Sequence, residues 1–271
     1  MHEQKKSGGI KMEEVFDYTE VPYLQEILAF LPINPEDEED VNGYIQNINN
    51  LIAINYKYEQ YQFSYFGLHL LYMTYIYSVA WQISQIEPER YKDAIVFARA
   101  YNGRERDLKI EDAESIFAFS LMPEKDISKL FKIIDLDQNE IANVCDLVDS
   151  RNDMAHASGR IQLTTADSFE VKAYNVLASM IKINKCLEKL VRRWYAQVLI
   201  SFCKGEYDGY NEPIDLITEY MLQSFKLSIN ELLICNDMSI SSLITEHRGY
   251  EKKLKAFKKA LSEYCQNAGY I

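Results

Sequence analysis

Residues 169–204 read FEVKAYNVLASMIKINKCLEKLVRRWYAQVLISFCK. Val176, Met180, Ile183, Leu187, Leu190, Trp194 and Val198 recur at three- and four-residue steps. That period puts them on one face of a helix about ten turns long. Lys182, Lys185, Lys189 and Arg192 fall on the outer face, with Arg193 adjacent. A helix of this length needs a partner surface along its apolar stripe, and the rest of the chain supplies helical segments to cover it. Only ten Gly and six Pro occur in 271 residues. A sandwich or barrel needs turn residues every 8–12 positions, about twice this supply. The predicted fold class is all-α.

Working outward, Gln60 to Ile86 carries no formal charge around the core FGLHLLYMTYIYSVAW. Its length permits a membrane span. Gln60, Gln62, Ser64, His69, Ser78, Gln82, Ser84 and Gln85 interrupt it, however, and no Lys/Arg cluster flanks it. A central helix buried on most sides is expected, with 41–86 forming one long helix or two collinear ones. Tyr58, Tyr61, Tyr65, Tyr72 and Tyr75 recur at helical spacing. The stripe is read first as core, and second as a surface for stacking bases. Further helices are expected at 89–101, 111–121, 124–134, about 138–157 and about 250–266. Asp137 is the predicted N-cap of the fourth of these, with Glu140 completing a capping box. GEYDGYNEP (205–213) is the strongest break. The expected organisation is an N-terminal arm and helix over 1–43, a helical bundle over 44–205 and a C-terminal helical extension over 206–271. The first dozen residues read as a floppy arm or an expression remnant, and Glu36 to Asp40 as a solvated acidic loop.

The formal charge is −12. Residues 1–160 hold 15 basic and 28 acidic side chains, and residues 161–271 hold 14 and 13. Phosphate affinity comes mostly from Lys and Arg, so the acidic balance argues against generic polyanion binding, and any nucleic-acid contact is expected to be local, in a cleft or on the C-terminal half. The five Cys lack CxxC spacing, and no zinc pattern joins them to the four His. A reduced, cytoplasmic protein with no bound metal or cofactor is expected.

The chemically informative stretch is LVDSRNDMAHASG, residues 147–159. Arg151, Asn152 and His156 fall at the end of an amphipathic helix. The spacing Arg-Asn-x-x-x-His resembles the signature of the HEPN superfamily, small helical bundles of which many are ribonucleases. With nine Arg, four His and sixteen Asn in the chain, the chance expectation of this pattern is on the order of 0.01. In a straight helix Asn152 and His156 lie about 40° apart and Arg151 and His156 about 140° apart. The Arg and His do not share a face, and the resemblance resolves this by pairing two motifs across a homodimer cleft.

The resemblance implies a HEPN-like bundle with extra N- and C-terminal helices and a metal-independent endoribonuclease of the toxin or anti-phage type. Its substrate would be RNA, such as tRNA or mRNA, and an inhibitor or activating partner would restrain it. Arg151 and His156 are the expected catalytic pair, supported by Asn152 and Asp153. DNA, which lacks the 2′-hydroxyl, would not be cut. Asp149 and Asp153 could raise the pKa of His156, repel phosphate or pair with Arg151. Some members are scaffolds or nucleotide binders without catalysis. Read without the resemblance, Arg151 and Asp153 are surface charges and His156 a helix-end residue. The row Lys182, Lys185, Lys189 and Arg192 is first a solvated face and second a track for an RNA backbone. His69 is expected to be a satisfied core histidine and His247 a helix end.

Overall fold

A computed structural model describes residues 20–33, 41–99, 115–155, 163 and 165–271 of the chain. Helices appear in the order α1 (Leu24–Leu28), α2 (Val41–Lys57), α3 (Tyr61–Ile86), α4 (Pro88–Arg99), α5 (Glu124–Ile127), α6 (Gln138–Ala155), α7 (Ala166–Lys204), α8 (Pro213–Asp215), α9 (Ile229–Asp237), α10 (Ser241–Glu246) and α11 (Glu251–Asn267). Tight 3-10 turns at Ile116–Leu121 and Ser128–Ile134 flank α5, and a π-helical stretch, Leu216–Ser224, continues α8. The fold is all-α. Among the described residues the sole extended pairing is one bridge between Pro32 and Ser228.

The 41–86 segment departs from the collinear expectation: α2 and α3 form a helical hairpin. The turn falls at Tyr58 to Gln60, with Glu59 at a left-handed φ of 57°. The hairpin closes tightly at Gly67, where an added Cβ would lie 2.6 Å from Ile52 Cγ1. Beside it, the Ser64 hydroxyl donates to the Ile52 carbonyl at 2.8 Å.

Helix α3 is the spine, buried along most of its length and packed on α2, α7, α4 and α6. Several of its polar residues are paired within the core. Thr74 and Ser78 donate to carbonyls four residues back, and Gln82 donates to the Lys226 carbonyl and to Glu231. Tyr72 and Tyr75 tie α3 to α7 through Ser179 Oγ (2.8 Å) and the Met180 carbonyl (3.1 Å). Tyr65, Tyr72 and Tyr75 are therefore core, whereas Tyr58 is exposed. Among the described residues, no helix is long and apolar enough to cross a membrane.

Helix α7 is uninterrupted. Thr165 caps its start in a reciprocal box with Ser168, and Gly205 ends it at a φ of 75° that favours glycine. The segment beyond Gly205 folds back on the second half of α7 through α9 and α11. Trp194 stacks on Phe225 with ring centroids 3.7 Å apart. Backbone bonds from Ile33 to Leu227 and from Asn230 to Ala29 join the N-terminal segment to the same region. All five cysteines are unbridged.

Candidate functional site

Helix α6 delivers the motif. Asp137 caps it, its Oδ1 accepting from the backbone N–H groups of Asn139 and Glu140 at 2.7 and 3.0 Å. The capping box is only half made. Glu140 turns away to accept from Asn143 and Lys182. Ile141, Val144, Leu147 and Val148 bury the inner face, and the helix reaches Ala155. Near its end the Met154 carbonyl accepts from Gln62 of α3 at 3.4 Å.

Arg151 is 24% exposed and donates from Nη2 to Glu124 Oε2, on the first residue of α5. His69 Nε2 lies 3.4 Å from the same oxygen. One carboxylate thus joins α3, α5 and α6. Neither Asp149 nor Asp153 takes the Arg151 guanidinium. Asp149 pairs with Lys125, the neighbour of Glu124, so two adjacent residues of α5 hold α6 with opposite charges. Asn152 is half-buried and Asp153 exposed. His156, residues 157–162 and residue 164 lie outside the described residues, as do the first dozen residues, Glu36 to Asp40 and the NGRERD segment.

His69 is 2% exposed. Its partnering is incomplete, a correction to the satisfied-core expectation: Nδ1 is buried without a hydrogen-bond partner among the described residues. Burial lowers its pKa, so the ring is neutral near pH 7 and offers Nε2–H to Glu124. Burial pushes the Glu124 carboxyl up, but its contacts with His69 and Arg151 outweigh that and hold it below the usual range. With His69 neutral, Arg151 is the cation that holds this charge. Arg151 Nε and the Tyr65 hydroxyl are also buried without partners. The Tyr65 phenol is beside Ser150 and Arg151, and among the described residues its hydroxyl has no partner at hydrogen-bond geometry.

Half of the cationic row on α7 is engaged. Lys182 pairs with Glu140 of α6 and Arg192 with Glu188, while Lys185 and Lys189 are exposed. A polar groove of about 340 Å³ follows the seam of α6 and α7, past Ser150, Lys172 and Lys182. His247 ends α10. Among the described residues, no group of three or more His, Cys, Asp or Glu side chains could hold a metal ion.

Sequence reasoning missed Glu124 and undervalued His69. Glu124 follows Pro123 at a helix start, where an acidic residue is ordinary. It lies 27 residues from Arg151 and 55 from His69, so no local spacing links them. No family model matches the chain, and no curated protein or solved structure matches it.

Proposed function

We propose that the chain is a metal-independent endoribonuclease in which Arg151 and His156 act on one phosphodiester. The observation that supports this reading is that Arg151 and Asn152 of the RNDMAH motif fall near the end of α6, a helix packed against both long helices, α3 and α7. This is the helical setting that the HEPN resemblance implies.

In the proposed reaction the ribose 2′-oxygen attacks phosphorus as the bond to the 5′-oxygen breaks. His156 takes the 2′-hydroxyl proton or protonates the departing oxygen, since imidazole titrates near neutral pH. Two chains paired about the cleft would supply one imidazole for each task. Arg151 stays cationic and stabilises charge on the phosphate oxygens. The products are a 2′,3′-cyclic phosphate and a 5′-hydroxyl, and DNA is not cut. Asn152 orients the imidazole or a phosphate oxygen, and exposed Lys185 and Lys189 guide the RNA backbone. A nuclease of this kind harms its host, which fits a cytoplasmic toxin or anti-phage effector held by an inhibitor or awaiting an activating partner.

A second reading is favoured by the Glu124 contact. If Arg151 only ties α6 to α5, the chain is a helical interaction scaffold. The deciding experiment incubates wild type, Arg151→Ala and His156→Ala with labelled single-stranded RNA and total tRNA in EDTA, and analyses the product ends. Cutting by wild type alone, leaving cyclic phosphates, supports the nuclease. Equal cutting by all three assigns the activity to another source. A wild type that neither cuts nor shows His156-dependent toxicity on expression supports the scaffold.

A further inference from the structure

A cavity of about 240 Å³ opens beside Glu124, between α2, α3 and the 3-10 turn Ile116–Leu121. Tyr44, Tyr77, Phe117 and Met73 form its apolar walls. Tyr44 and Phe117 meet edge to face with centroids 5.0 Å apart. Leu70 and Ser120, also in the lining, are exposed, so the cavity is open to solvent. Among its described lining residues, Glu124 is the one charged group. Its contacts with Arg151 and His69 both fall on Oε2 and neither uses Oε1. The hydroxyl of Thr74, another lining residue, donates to its own helix, at the Leu70 carbonyl. Tyr44, Tyr77 and Ser120 bring hydroxyls to the lining, and Glu124 brings its one carboxylate, the acceptor-only group among them.

We infer that this cavity is a base-recognition pocket for single-stranded RNA that selects guanine, with Glu124 Oε1 accepting from the Watson–Crick edge. Sites for drug-sized ligands usually span about 300–1,000 Å³, so this one suits a single base. Single-stranded RNA is commonly read by aromatic side chains against the base and hydrogen bonds to its edge. An ionised carboxylate only accepts hydrogen bonds. Adenine and cytosine set an acceptor nitrogen beside their amine, and uracil flanks its one N–H with two carbonyls. Guanine alone presents two adjacent donors, N1–H and the N2 amine, with no acceptor between them. Burial opposes its charge, but contacts with His69 first and Arg151 second hold the Glu124 carboxyl below the usual range, so the acceptor persists at neutral pH.

Glu124 both lines the cavity and pairs with Arg151. A base in the cavity and its phosphate on Arg151 would therefore be separated by one side chain, within the reach of one nucleotide. The acidic N-terminal half gives phosphates little general attraction, so base contacts would carry much of the affinity. The pocket's place in RNA cleavage rests on the nuclease reading; its selectivity for guanine does not.

The test is calorimetric titration of the full chain with GMP, AMP, CMP and UMP, for wild type, Glu124→Gln, Phe117→Ala and Arg151→Ala. GMP is expected to bind on the order of tenfold or more tighter than the others. Glu124→Gln, which puts an amide in place of the acceptor-only carboxylate, is expected to erase that preference. Phe117→Ala should weaken all four nucleotides. Arg151→Ala should weaken phosphate binding yet keep the base preference, which also separates base recognition from release of Arg151. Thermal melts check folding; if Phe117→Ala does not fold, Ser120→Trp at the exposed mouth replaces it and should block all four.

Equal affinity for the four nucleotides, no binding of any, or a guanine preference retained in Glu124→Gln overturns the pocket. His156-dependent cleavage without base preference would overturn the pocket and leave the nuclease. Glu124-dependent selectivity without cleavage would keep the pocket and remove the nuclease.

Discussion

The Arg151 guanidinium is bonded to the Glu124 carboxylate across 27 residues of sequence, on the same oxygen that His69 approaches. This contact holds the end of α6 to the start of α5, with α3 beneath. It also keeps Arg151 at a fixed point only five residues before His156. A cation that acts on phosphate gains from being held in advance, because less side-chain freedom is then lost on binding.

The pair should be visible as coupling energy. Arg151→Ala and Glu124→Ala each leave a half-buried partner unsatisfied, at a cost of about 1–3 kcal/mol. In urea denaturation the double mutant should fall short of the sum by about 0.5–3 kcal/mol. Additive losses would show that the two side chains are neighbours without mutual stabilisation.

Acid should destabilise the protein through His69. Its pKa is lowered in the folded state, so the unfolded chain binds more protons as pH falls through the ordinary histidine range. Stability contributed by the neutral ring is present above that range and diminishes below it. Melting temperatures measured between pH 7.5 and pH 5.5, values spanning about one unit either side of an unperturbed histidine, should decline in wild type. The decline should be shallower in His69→Gln. An unchanged slope in the variant would assign the effect to other groups.

Glu231 gives opposite outcomes for two substitutions. It is fully buried, and one oxygen accepts from Gln82 Nε2 at 2.9 Å and from the Ser228 backbone N–H at 2.8 Å. Burial raises its pKa, so the charged form is disfavoured in the fold. Glu231→Gln keeps an acceptor oxygen and removes the charge, and should be neutral or stabilising at pH 7. Glu231→Ala strands two donors and should cost about 1–3 kcal/mol for each group left unsatisfied. Chemical denaturation of both variants at pH 7 and pH 5 checks this, with the advantage of the amide shrinking at the lower pH.

Gly67→Ala tests the hairpin. The new methyl would meet Ile52 at 2.6 Å and Leu51 at 2.8 Å. Ile52 is fully buried, so the helices must separate or the side chain must leave its rotamer. Overpacking of this kind costs about 1–3 kcal/mol. A variant as stable as wild type would mean that Leu51, which is exposed, and Ile52 can both yield.

Much of the helical layout was legible before the tertiary structure. α7 was expected over 169–204 and runs Ala166–Lys204; α11 was expected over 250–266 and runs Glu251–Asn267. Both have one apolar face and clear ends, so period and boundary agree. The hairpin in 41–86 was not legible. Helix α3 is apolar on nearly every side, so periodicity carries no phase. Its turn uses Glu59 at positive φ, where a Gly or Asn would have been the recognisable signal. The 3-10 turns around α5 read as helices in the sequence because apolar spacing does not distinguish the two over six or seven residues.

Composition, period and caps are local properties, and they determined the all-α class, helices α7 and α11 and the Asp137 cap that starts α6. Partner choice is not local. That Arg151 meets Glu124 instead of Asp149 or Asp153, that His69 is buried with one nitrogen unpartnered, and that an aromatic cavity lies against the same carboxylate depend on α3, α5 and α6 converging. Such contacts join residues tens of positions apart and leave no periodic trace in the chain, so only the packed structure decided them.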